Sequence, residues 1–118
     1  MGRRITNKQI IKKLLPYLKE AIKRKDVKLT KRDFYGHPLY EEYISDEQFG
    51  EIHIIWISFD GVKVIEVTVP LKGKYDQATL SWREGENCFG YAKEFTGLGN
   101  GYYADVDCNG KIIRGEWD

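Results

Sequence analysis

Twelve residues near the C-terminus, Asp105-Val106-Asp107-Cys108-Asn109-Gly110-Lys111-Ile112-Ile113-Arg114-Gly115-Glu116, carry the spacing D-x-D-x-N-G-x5-E of a calcium-binding EF-hand loop. The chemistry would be oxygen ligation by Asp105, Asp107 and Asn109, with Gly110 making the sharp turn and Glu116 closing the cage. The flanks do not fit. An EF-hand loop joins two helices, but Thr96 to Tyr103 is too rich in glycine to form an entering helix, and only Trp117 and Asp118 follow Glu116. The same letters spell a β-hairpin about Asn109-Gly110. That pairing sets Val106 opposite Ile113, Tyr102 opposite Trp117, Asp105 opposite Arg114 and Tyr103 opposite Glu116. Arg114 then neutralises a carboxylate that calcium would need, so the hairpin is the preferred reading and no metal ligand is assigned.

Other candidates for chemistry are weaker. His53, Glu66 and Thr68 fall on one face of a second hairpin, where a histidine-carboxylate pair can act as a general base. No nucleophile or second acid can be placed beside them, and a histidine on a half-buried strand serves more often as a hydrogen-bonded structural residue. Gly97-Leu98-Gly99-Asn100-Gly101 resembles a phosphate-binding loop in composition. It is followed by a strand pattern rather than by a helix N-terminus, so it reads as a hairpin connection. Cys88 and Cys108 lack CxxC spacing and the companions of a zinc site, and read as reduced thiols. No catalytic or cofactor-binding residue is assigned, and no cofactor or enzymatic activity is expected.

The elements that must position these residues follow from periodicity. Ile10, Leu14, Leu18 and Ile22, widened by Ile11 and Leu15, form the apolar stripe of an amphipathic helix over about 7–25, capped by Thr6 or Asn7. Pro16 inside it predicts a kink or a break near Leu15. A first short strand is expected over 27–34, a turn at Tyr35-Gly36-His37-Pro38, and either a strand or a covering loop over 39–50. The strongest element is the hairpin EIHIIWISF-DG-VKVIEVTV, with Asp60-Gly61 as a type I′ turn. It sets Phe59 opposite Val62 and Trp56 opposite Ile65. One face then carries Ile52, Ile54, Trp56, Ile65, Val67 and Val69 and is expected to lie under the helix. Strands over 78–83, 88–95, 102–108 and 111–117 follow. The predicted fold is a single α+β domain spanning 1–118, with the helix packed on a curved, mainly antiparallel sheet of five to seven strands.

Charge gives the functional lead. The net charge of +1 hides a division: residues 1–32 hold 12 Lys/Arg against two acids, and residues 33–118 hold 7 against 16. The helix face opposite the apolar stripe carries Lys8, Lys12, Lys19 and Lys23. With Tyr35 and Tyr40 these are the candidate partner-binding residues, charge steering a partner and aromatics anchoring it. The expected role is a non-enzymatic small interaction protein binding another protein, in the manner of a bacterial or mobile-element inhibitor or immunity-type protein. The alternative is a nucleic-acid-binding module using the basic helix, with Tyr35, Tyr40 and Tyr43 for base stacking. Met1-Gly2-Arg3-Arg4-Ile5-Thr6 fits the loose myristoylation pattern but reads better as a plain start. No apolar run approaches a membrane span, and the expected location is the cytoplasm.

Overall fold

The computed structural model describes residues 5–72, 76–95 and 99–117. One helix, α1 (Asn7–Lys23), precedes eight strands: β1 (Lys31–Arg32), β2 (Pro38–Asp46), β3 (Gly50–Phe59), β4 (Val62–Pro70), β5 (Gln77–Arg83), β6 (Phe89–Phe95), β7 (Gly99–Val106) and β8 (Ile112–Trp117). The strands form one antiparallel up-and-down sheet in the order β1 to β8, and β1 does not pair with β8 to close it.

The helix starts on a capping box. Thr6 Oγ1 accepts from the Gln9 amide at 3.1 Å, and the Thr6 amide donates to Gln9 Oε1 at 2.9 Å. Ile10, Ile11, Leu14, Leu18 and Ala21 are buried against the sheet. Contrary to a break at Pro16, the helix passes through it as one element. Pro16 lies on the solvent side, and the Lys12 carbonyl that loses its amide partner belongs to an exposed residue that water can reach.

The central hairpin has the expected register, Phe59↔Val62 and Trp56↔Ile65. Asp60 (φ 51°) and Gly61 (φ 85°) both take left-handed φ, as a type I′ turn requires. Ile52, Ile54, Trp56, Ile65, Val67 and Val69 are all buried, joined by Leu80, Tyr91, Ala104 and Val106 from later strands. Two polar contacts, the first of them buried, fix the helix over this face. Trp56 Nε1 donates to the Ala21 carbonyl at 3.2 Å, and the Tyr91 hydroxyl donates to Asn7 Oδ1 at 3.0 Å.

Three expectations need correction. The sheet has eight strands rather than five to seven, because the stretch left open between strand and loop supplies a full strand, β2. The strand expected over 27–34 shrinks to Lys31–Arg32: Val27 and Leu29 turn to the core and Lys28 and Thr30 to solvent as expected, but only Lys31 and Arg32 pair with a neighbouring strand. The β7–β8 connection is not a two-residue Asn-Gly turn. Asp105↔Arg114 and Tyr102↔Trp117 pair as expected, but a bulge follows Asp105 and sets Val106 opposite Ile112 rather than Ile113. Residues Gly97 and Leu98 of the glycine-rich connection, the centre of the 71–77 loop and the first four residues lie outside the described residues.

Candidate interaction surface

In an up-and-down meander every second connection falls at the same end of the sheet. One end therefore gathers 33–37, 60–61, 84–88 and 107–111. Two of these loops share one construction. In 107–111, the Asp107 amide donates to the Lys111 carbonyl at 2.9 Å and the Gly110 amide to the Asp107 carbonyl at 3.0 Å. Asp107 Oδ1 accepts from the amides of Asn109 and Lys111, both at 2.9 Å, and Gly110 takes φ 87°. In 33–37, the Asp33 amide donates to the His37 carbonyl at 3.1 Å and the Gly36 amide to the Asp33 carbonyl at 3.0 Å. Asp33 Oδ1 accepts from the amides of Tyr35 (2.9 Å) and His37 (2.8 Å), and Gly36 takes φ 85°. The pattern is D-x-x-G-x, a turn whose first residue uses its carboxylate to hold the amides and whose fourth must be free of Cβ strain. In the C-terminal copy this carboxylate is the one the calcium reading needs, and the loop's own amides occupy one of its oxygens.

The two x positions are the most outward part of each loop. In 107–111 they are Cys108 and Asn109; in 33–37 they are Phe34 and Tyr35. Phe34 is 95% exposed and Tyr35 81%. Their rings meet edge to face at 5.3 Å, Tyr35 stands 6.2 Å from the His37 ring, and His37 contacts Phe59 at 4.6 Å. Phe59 is itself 39% exposed. A line of rings thus runs from the first hairpin tip to the second. Below it, His37 Nδ1 lies 2.9 Å from Asp33 Oδ2, and Arg32 Nη1 donates to the Gly36 carbonyl at 2.8 Å. Against a desolvation penalty that opposes them, these contacts from His37 and the Tyr35 amide hold the Asp33 carboxyl below its ordinary value.

Of the residues expected to bind a partner, Tyr35 lies at this tip. Tyr40 does not. Alternation along β2 turns it to the helix side, where it packs at 5.6 Å on Trp56 and donates to Glu42 Oε2 at 3.0 Å. Tyr43 faces the other side of the sheet, stacked at 4.4 Å on His53. Lys8, Lys12, Lys19 and Lys23 are all exposed on the outer face of α1. Among the described residues only Lys23 of these four meets a carboxylate, Glu20 at 3.7 Å. Their neighbours Lys13 and Arg24 do dock on the acidic sheet, at Asp46 (2.8 Å) and Glu42 (2.9 Å). Arg24 also lies 4.8 Å over the Trp56 ring. Phe34 escaped sequence reasoning, and the D-x-x-G spacing is the signal that would have found it.

The sheet face opposite the helix carries no described helix or strand. Here the Glu41 carboxylate binds His53 Nε2 at 2.8 Å and Lys31 Nζ at 3.1 Å, and both contacts hold its pKa down. His53 is therefore paired with Glu41 rather than with Glu66, and the Tyr43 hydroxyl donates to the same Glu41 Oε2 at 3.3 Å. Burial, reinforced by the Glu94 carboxylate, pushes Glu66 up, with His53 partly opposing. A shallow depression of about 310 Å³ lies at the β7–β8 edge beside Tyr103, Asp105, Arg114 and Gly115, with the Asp105 carboxylate bound to Arg114 at 3.1 Å. Cys88 and Cys108 are free thiols. Among the described residues no three His, Cys, Asp or Glu side chains cluster as a metal site would require. Among the described residues no helix is long and apolar enough to cross a membrane. Comparison with protein-family models, with curated proteins and with solved structures finds no match for the chain.

Proposed function

We propose that the chain is a non-enzymatic interaction protein that binds another protein, as small cytoplasmic inhibitors and immunity-type proteins do. The observation that carries this reading is the Phe34-Tyr35 pair held in solvent on an ordered turn. Loop 107–111 builds the same backbone with Cys108 and Asn109, so the turn itself has no need of aromatic residues. Exposed aromatics in a rigid setting are the common currency of interface anchors. The Lys8, Lys12, Lys19 and Lys23 face supplies long-range steering toward an acidic partner. Affinity capture from host extract, with wild type beside a Phe34→Ser/Tyr35→Ser variant, tests the proposal. A protein retained by the wild type and lost by the variant supports it, and equal retention by both counts against it.

A second reading is favoured by the same lysines, which leave a positive stripe free of described carboxylates over most of its length. It makes the helix a nucleic-acid contact. A gel shift at low salt decides: retardation abolished by Lys12→Glu/Lys19→Glu and by added salt supports this reading, and no retardation removes it.

A further inference from the structure

We propose that the Phe34-Tyr35 tip inserts into a concave apolar pocket on the partner protein, with Arg32 facing a carboxylate on the pocket's rim. This deepens the interaction reading and rests on it. The two rings together offer on the order of 300 Å² of surface, more than a third of the roughly 800 Å² that one side of a standard interface buries. Phe59 and His37 extend the same line of rings inward, so the patch continues beyond the tip. Asp33 already fixes the backbone amides of Tyr35 and His37, so docking need not order the loop first.

Charge sets the chemistry of the rim. The Asp33 carboxylate is used within its own loop, and Lys31 is held by Glu41. Arg32 has no carboxylate among the described residues and is braced at the tip by the Gly36 carbonyl. The base of the tip therefore presents one available cation. An anionic lipid surface fits poorly, because the adjoining turns at the same end expose three carboxylates, Asp60, Glu84 and Glu86, against one lysine, Lys111. A second copy of this chain fits poorly as well, since the depression beside Tyr103 is polar and its carboxylate is taken by Arg114.

Site-specific photocrosslinking in host cells tests the proposal on the full chain. The photoreactive residue p-benzoylphenylalanine replaces Phe34, Asn109 or Lys19 in turn, and the crosslinked peptides are sequenced by mass spectrometry. The expected result is an adduct from position 34 to an apolar segment of another protein that carries a nearby Asp or Glu. Position 109, on the matching loop without aromatics, should give none. Arg32→Glu in the position-34 protein should lower the yield about tenfold, the effect of one favourable rim charge made repulsive. Adducts to lipid, to a second copy, or equally from 34 and 109 would overturn the proposal, as would a yield indifferent to Arg32→Glu. Crosslinking from position 19 alone overturns the tip docking while the interaction reading stands. Silence at all three positions overturns both.

Discussion

Replacing Phe34 and Tyr35 together by serine should leave the protein almost as stable as before. The fold covers only about a twentieth of the Phe34 surface and a fifth of Tyr35. With whole side chains of roughly 150–250 Å², that is about 50 Å² shielded from water. At about 25 cal/mol per Å² the loss is near 1 kcal/mol, and a compact unfolded state lowers it further. The backbone contacts of the loop involve Asp33, the Tyr35 amide, Gly36 and His37 and neither the Phe34 nor the Tyr35 ring, so they survive the exchange. Urea unfolding followed by tryptophan fluorescence gives the answer, since Trp56 sits in the core and reports global unfolding. The expected outcome is an unchanged slope and a loss of at most about 1 kcal/mol. A loss above about 2 kcal/mol would mean that the rings support the fold, and the argument that they are displayed for a partner would fail.

Trp56→Ala should cost about 3–5 kcal/mol in urea unfolding followed by far-UV circular dichroism, because it opens a cavity under the helix and removes the indole hydrogen bond to the Ala21 carbonyl. Asp33→Ala should speed hydrogen exchange at the Tyr35 and His37 amides and leave Asn109 and Lys111 protected, with Asp107→Ala giving the converse. Glu41, Glu42 and Asp46 have pKa values held down, chiefly by His53, Arg24 and Lys13 respectively. Their stabilisation is complete above the ordinary values of 4.5 and 3.8, and the melting temperature should drop as pH falls below that range. Glu66 runs the other way: its raised pKa favours the neutral acid, so its contribution is lost as pH rises above 4.5. Glu66→Gln should therefore raise the melting temperature at pH 7 and leave it unchanged at pH 3.

What the sequence made legible follows from the strength of local rules. The β3–β4 hairpin could be read to the residue because strict alternation and Asp60-Gly61 agree, and a slip by one would expose Trp56. The helix could be read from its stripe, but its continuity through Pro16 depends on which face meets solvent. The Asn109-Gly110 turn misled because Asp107, two residues earlier, bonds the amides itself and builds a longer loop with a bulge. Tyr40 misled because its direction depends on β2 existing as a strand, which its own residues leave ambiguous. The lysine face of α1 was visible as a pattern, whereas the escape of Lys13 and Arg24 onto Asp46 and Glu42 required the tertiary fold.

The central claim is that the 33–37 loop displays Phe34 and Tyr35 for contact. Its most direct test is calorimetric titration of the captured partner against wild type and against Phe34→Ser/Tyr35→Ser. Anchors of this kind carry about 2 kcal/mol or more, so the account predicts a rise in Kd of about thirtyfold or greater while the folded fraction stays the same. Equal affinity of the two proteins would contradict it.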